Sequence, residues 1–225
     1  MKLQLACFER LGAPGWTAMQ EVANAAREHD LLVIADGKRG DVPITAAAYA
    51  RALVGETHTP WGPVPGLGAD AFTANPMLGR DALEPLVEAA AAASAGIFIL
   101  VRTSNPGAAE IQDQPEGAPL HDRLAALVEG FGDALAGSGA LSGAGAVVGA
   151  TAPRLLGHLR ELMPRAIFLV PGVGAQGGRP EELGAAFAAG RASALIPVSR
   201  GISADRDPAA AAERLRAQVW EASGG

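Results

Sequence analysis

Short apolar runs alternate with longer amphipathic or Ala-rich stretches along almost the whole chain. The strand candidates are residues 2–6, 31–35, 71–74, 96–101, 146–149, 166–170 and 193–198. Helical patterns fill the intervals at 15–29, 45–53, 79–93, 119–136, 152–162 and 180–189, and residues 208–222 close the chain as a helix. Parallel neighbours need long crossovers, so this rhythm predicts parallel strands joined by right-handed helical connections. The runs are continuously apolar rather than alternating, as strands covered on both faces must be. Stretches 56–68, rich in Pro and Gly, and 137–145, rich in small residues, read as loops.

Seven strands are visible in the 225 residues, whereas a closed (β/α)8 barrel has eight. Met1 runs straight into strand-like residues with no preceding helix or cap. The expectation is one α/β domain over residues 1–225, a (β/α)8 TIM-type barrel that is incomplete, with its first βα unit missing. A doubly wound open sheet would tolerate seven strands, but no G-x-G-x-x-G follows the first one.

Composition narrows the partners. The net charge is −6 and no basic stripe is present, which argues against nucleic acid. A few Arg, Lys and backbone N–H groups can still hold a small anion. No run of about 18 uncharged apolar residues suggests a membrane span. The opening residues, Met1 to Phe8, are too short an apolar stretch for a signal peptide, and Glu9 and Arg10 follow at once. Cys7 is the only cysteine, so no intrachain disulfide forms, which fits a reducing, cytoplasmic compartment. Cys7 itself reads as a small buried apolar residue, and Glu9 and Arg10 as solvated charges at a strand end. Trp16, Trp61 and Trp220 read as packing or loop anchors.

The densest chemical signal is Asp36-Gly37-Lys38-Arg39-Gly40-Asp41, at the C-terminal end of a strand candidate, where barrel enzymes place catalytic groups. Asp36 and Lys38 are two apart and share a side of an extended segment. A lysine between two carboxylates stays protonated and can donate a proton or stabilise a developing carbanion. A solvated charged turn is the alternative reading. Pro171 to Gly178 carries four glycines, which let backbone N–H groups approach an anion. Val198-Ser199-Arg200-Gly201 follows the last strand candidate and adds a guanidinium fork. If one strand is missing, these are the loops after strands seven and eight, a frequent phosphate site of barrels. A flexible loop and a surface arginine are the alternative. His29, His58, His121 and His158 lie far apart in sequence and show no metal-ligand spacing, so no metal site is expected. The acidic residues of 205–207 read as the cap of the last helix, with Pro208 in its first turn.

Asp36-x-Lys38-x-x-Asp41 resembles the signature of orotidine 5′-phosphate decarboxylases. Similar wording continues in Lys2-Leu3-Gln4-Leu5-Ala6-Cys7-Phe8-Glu9, Asn75-Pro76-Met77-Leu78-Gly79, Thr103-Ser104-Asn105-Pro106-Gly107, Val147-Val148-Gly149-Ala150-Thr151, the glycine-rich loop and Ser199-Arg200-Gly201. The likeness runs from Lys2 to about Ile202 and is to the longer bacterial subfamily. It implies conversion of orotidine monophosphate to UMP and CO2, the last step of UMP biosynthesis, with no cofactor and no metal. It implies that Lys2 positions the ribose and the first aspartate, that Asp36 faces the substrate carboxylate, and that Lys38 protonates C6. Asp41, with Val42 and Thr45 nearby, would reach the neighbouring site of a homodimer. Ser104 would contact the pyrimidine, and Gln176 and Arg200, beside Pro171 and Ser199, would grip the phosphate as the 171–178 loop closes.

The family also carries an aspartate on its first barrel strand that has no counterpart here, and Met77 stands where a tyrosine is usual. Lys2 sits one residue from the start, where fraying is expected. Two competing readings are a truncated, inactive relic and a related sugar-phosphate barrel that uses a metal and an enediolate. The Thr-Ser-Asn-Pro-Gly and Gly-Ala-Gln-Gly-Gly segments argue against the latter. A true start upstream of Met1 is a further expectation.

Overall fold

A computed structural model describes residues 1–224. The chain divides into two compact units, Met1–Ile99 and Leu100–Gly225.

The first unit opens with β1 (Lys2–Gln4), α1 (Leu5–Glu9) and α2 (Ala13–Glu28), followed by β2 (Ile34–Arg39) and α3 (Pro43–Leu53). A hairpin of β3 (Glu56–Thr59) and β4 (Gly62–Pro65) comes next, then β5 (Ala71–Ala74), α4 (Arg80–Ala92) and β6 (Gly96–Arg102), whose last residues belong to the second unit. The pairing is parallel throughout β1–β2, β2–β5 and β5–β6. All four residues of β5 are buried, as a strand covered on both faces requires. On α4, Leu83, Leu86, Val87 and Ala90 are buried at helical spacing. Each such Leu contributes roughly 1.5–3 kcal/mol by leaving water.

The second unit continues with α5 (Ala108–Ile111), α6 (Leu120–Glu129), β7 (Ser142–Val148), α7 (Arg154–Leu162), β8 (Ala166–Leu169), β9 (Ala194–Leu195), α8 (Arg200–Ser203) and α9 (Pro208–Ala222). Pairs β7–β8 and β8–β9 are again parallel. The hydrogen-bonded order of the seven-stranded sheet is β1-β2-β5-β6-β7-β8-β9, with β3-β4 as a separate pair. Leu124, Val128, Leu156, Leu159, Met163 and Phe168 form much of this unit's buried apolar set.

Arg160 is a buried cation at the base of that set. Its guanidinium donates to the carbonyls of Met163 (3.0 Å), Ala166 (2.6 Å), Ala186 (2.9 Å) and Ser193 (3.0 Å). It also lies 3.7 Å from the Phe168 ring centroid. Burial lowers its pKa to about 10, so it remains charged at neutral pH. One side chain thus ties α7 and the end of its turn to β8 and to the turns before β9.

The structure redraws several expected boundaries. The first strand stops at Gln4 because Leu5 to Glu9 turn helical. Cys7 is therefore exposed on a helix rather than buried. The charged motif is not a loop after β2; Asp36 to Arg39 are the strand's own end. Within stretch 56–68, residues 56–65 form an antiparallel hairpin, since Thr57 and Val64 pair across a turn at Pro60 and Trp61. Small residues expected to form a loop at 142–145 instead begin β7, where Ala144 and Ala146 fit a fully buried strand. The pattern at 180–189 forms short 3-10 turns, Pro180–Glu182 and Gly184–Phe187, not an α-helix. Glu9 is not merely solvated, because Arg39 forms an ion pair with it. The cap of α9 is as expected: Asp207 accepts from the Ala210 N–H at 3.0 Å, with Pro208 in the first turn.

Candidate active site

In the first unit, parallel register sets Gln4 opposite Asp36 and Lys2 opposite Ile34, so the long Lys2 side chain spans two residues to reach the Asp36 carboxylate. Lys2 Nζ donates to Asp36 Oδ2, and Lys38 Nζ donates to Asp36 Oδ1 at 2.7 Å. The expected lysine between two carboxylates is thus a carboxylate between two lysines. Asp41 does not join the cluster; its Oδ1 accepts from the Val42 N–H at 2.8 Å. The reason is local: Pro43 starts α3 and turns the chain away after Gly40. Val42 and Thr45 stand exposed at that helix start.

Asp36 is 5% exposed. Burial alone would raise its pKa. The hydrogen bonds and charges of Lys2 and Lys38 outweigh that effect and hold it below the usual carboxylate range. Lys2 is not frayed, since it pairs with Ile34 in the sheet and its side chain is largely covered.

A fourth member escaped the sequence reading. Thr73 Oγ1 on β5 donates to Asp36 Oδ1 at 3.0 Å and accepts from the Lys38 N–H at 2.8 Å. Its only sequence signal is a hydroxyl in the middle of the apolar run Ala71-Phe72-Thr73-Ala74. This contact fixes Lys38 at φ 49°, a left-handed conformation uncommon for any residue but glycine. Gly40 is required nearby, because a Cβ there would lie 2.6 Å from the Asn75 carbonyl oxygen.

In the second unit, Ser104 Oγ donates to Gln176 Oε1 at 2.7 Å, across 72 residues of sequence. Thr151 Oγ1 donates to the Ser104 carbonyl at 3.0 Å. Gly149 passes so close that a Cβ would lie 2.7 Å from Ser104 Cα. Gln112 Oε1 accepts from the Thr103 N–H at 2.7 Å, and Arg102 grips Asp113 through two nitrogens at 2.8 and 3.1 Å. Gln112 and Arg102, which bond the Thr103 backbone, and Asp113, which holds Arg102, carry no motif that marks them in the sequence.

The glycine-rich loop folds on itself. The Gly178 N–H donates to the Gly172 carbonyl at 3.0 Å, and Gly174, Gly177 and Gly178 close a tight turn. Gly172, Gly174 and Gly177 have positive φ, which accounts for the glycines. Pro171 is half-buried and its carbonyl accepts from the Ala150 N–H at 2.8 Å. The loop and the segment around Ser199 border one cleft of about 400 Å³, lined by Val173, Gly174, Gly178, Val198, Gly201 and Arg214, among others. Ser199 and Arg200 are exposed between Val198 and Gly201. The glycine-rich loop and the segment around Ser199 thus share a cleft, but the side chains expected to grip phosphate, Gln176, Ser199 and Arg200, are not among its lining residues.

Histidines expected to be scattered partly converge. His121 and His158 approach Asp122, and their ligand atoms lie within 4.8 Å of one another. Among the described residues, no helix is long and apolar enough to cross a membrane.

Residues 1–215 match the model of the orotidine 5′-phosphate decarboxylase / HUMPS family. The orotidine 5′-phosphate decarboxylase of Deinococcus radiodurans is 44% identical over 227 aligned residues, covering 100% of this chain and 79% of that protein. The protein of the same name from Rhodopirellula baltica is 44% identical over 206 residues, covering 90% of this chain and 66% of its own length. The structure of Leishmania donovani OMP decarboxylase superposes with a TM-score of 0.79 at 32% identity, covering 100% of this chain and 81% of that one. The seven-stranded parallel α/β arrangement is thus the fold class of these barrel enzymes.

Proposed function

The chain belongs to the orotidine 5′-phosphate decarboxylase / HUMPS family, and from that premise we propose that it converts orotidine 5′-phosphate to UMP and CO2, without cofactor or metal, in the cytoplasm. The carrying observation is the buried Asp36 carboxylate held by both Lys2 and Lys38.

The chemistry follows from that array. The C6–carboxylate bond breaks, CO2 departs, and the electron pair stays on C6 in an sp² orbital with little resonance relief. An ammonium fixed beside that carbon stabilises the charge as it grows. Lys38 then gives C6 a proton and recovers one from solvent. Asp36, Lys2 and Thr73 hold the ammonium beforehand, so little reorganisation accompanies the step. Asp36 also places a negative charge where the substrate carboxylate would sit.

Ser104 and Gln176 are assigned to the pyrimidine and phosphate, and Ser199, Arg200 and Pro171 to the phosphate grip. Phosphate binding energy used to order the glycine loop serves the reacting centre. Exposed Val42 (54%) and Ile44 (88%) beside Asp41 and Thr45 support a homodimer in which Asp41 and Thr45 serve the neighbouring site.

The test follows orotidine monophosphate loss by ultraviolet absorbance with EDTA present. Turnover that Lys38→Ala removes supports the reading. A folded chain with no turnover, or turnover that EDTA stops while the chain stays folded, overturns it.

A further inference from the structure

We propose that His121, Asp122 and His158 form a binding site for a divalent transition-metal ion of the zinc class, joining α6 to α7. His121 and Asp122 open α6, and His158 lies in the middle of α7. Asp122 Oδ1 is 2.7 Å from His158 Nε2 and 3.4 Å from His121 Nε2. Three donors already converge on one point.

The decisive observation is behind the ring of His121. Its Nδ1 lies 2.9 Å from the Gln112 carbonyl oxygen, which can only accept. Nδ1 therefore carries a proton, and in the neutral ring Nε2 keeps its lone pair and points at Asp122. Asp113 Oδ1 stands 3.3 Å from the same Nδ1 and is itself held by Arg102. A carboxylate or carbonyl on the far nitrogen is how metal-bound imidazoles are oriented. Here that support exists at a histidine whose side chain is 5% exposed.

Two imidazoles and one carboxylate suit Zn²⁺, Co²⁺ or Ni²⁺, whereas Mg²⁺ and Ca²⁺ prefer all-oxygen sets. Tetrahedral bonds of about 2.0–2.1 Å place donors roughly 3.3 Å apart, so small rotations of Asp122 and His158 suffice. Both are partly exposed, at 34% and 46% of their side chains, which gives the ion an entry path and leaves a fourth position for water. This assignment does not depend on the decarboxylase reading.

The experiment uses the full chain, stripped with chelator and desalted, and titrated with Co²⁺ and then Zn²⁺. One equivalent of Co²⁺ is expected to develop the visible bands of a four-coordinate site, and Zn²⁺ to displace it and raise the thermal midpoint by several degrees. His158→Ala and Asp122→Asn are each expected to weaken binding at least about 10²-fold, and Asp113→Asn by about 10- to 100-fold. Mg²⁺ is expected to do nothing. Either of two results overturns the proposal: no saturable one-to-one binding, or binding that survives both His158→Ala and Asp122→Asn, which would place the metal elsewhere, as at Cys7 or His58.

Discussion

Lys38 holds its Nζ 2.7 Å from Asp36 Oδ1 while its own backbone sits at φ 49°. The ion pair and the backbone conformation are linked through Thr73, which bonds to both the Lys38 amide and the Asp36 carboxylate. Backbone strain of this kind concentrates where surrounding structure fixes a functional side chain.

That linkage separates stability from activity. Lys38→Ala keeps the left-handed backbone, and Lys38→Gly relieves it. Both variants are expected to lose roughly 10³-fold or more in kcat. The glycine variant should be the more stable of the two by about 1 kcal/mol. Paired urea titrations of the two proteins check this; equal midpoints would show that the conformation carries no strain.

Thr73 serves two partners with one hydroxyl, so an isosteric change isolates it. Thr73→Val leaves a buried carboxylate oxygen and an amide each short of a bond, at a cost of about 1–3 kcal/mol. Thr73→Ser should restore most of that stability and of kcat. A positioning role also predicts that kcat falls more than KM rises in the valine variant.

Asp36 has its pKa lowered in the folded state. A depressed carboxyl adds stability above its unfolded value of about 3.9 and loses it as pH falls through the lower folded value. Stability from this group is therefore flat between pH 5 and 8, on the order of those limits, and fades only in stronger acid. Asp113, lowered first by its hydrogen bond to Arg102 and then by the nearby charges, behaves with the same sign. Denaturant midpoints against pH should show the acid limb start later in Asp36→Asn, which lacks this titration.

Arg160 supplies donors to four carbonyls. Arg160→Met keeps volume but removes a donor from all four carbonyls; those of Met163 and Ala186 keep a second donor, while each buried group left unpaired costs about 1–3 kcal/mol. A loss of at least about 3 kcal/mol is expected, or roughly 6–12 °C in thermal midpoint for a chain this size. Arg160→Lys should recover little, since one ammonium cannot reproduce the planar fork. Calorimetry of the three proteins decides it.

The reading of the sequence reached different depths at different residues. The Ala71–Ala74 strand and the α9 cap were legible because their signals are local: a run of buried residues, and Asp207 before Pro208. The hairpin at 56–65 was hidden because its prolines suit an edge pair as well as a loop. Cys7 was misplaced because helix begins at Leu5, where continuation of a three-residue strand has no sequence marker. In the site, Asp36 and Lys38 were found through their spacing. Thr73 was missed because its role exists only once β5 lies beside β2. His121 and His158, 37 positions apart, could not be paired from spacing, because their meeting depends on how α6 packs against α7.

By itself the sequence determined the parallel α/β class, the motif Asp36-x-Lys38-x-x-Asp41 and the glycine-rich loop, because period and local backbone demands are written in neighbouring residues. The tertiary structure alone decided that Asp36 sits between Lys2 and Lys38, that Asp41 stands apart, and that Ser104 meets Gln176. Those outcomes depend on strand register and on contacts across tens of residues. No local preference encodes them; they follow from which apolar faces are buried together.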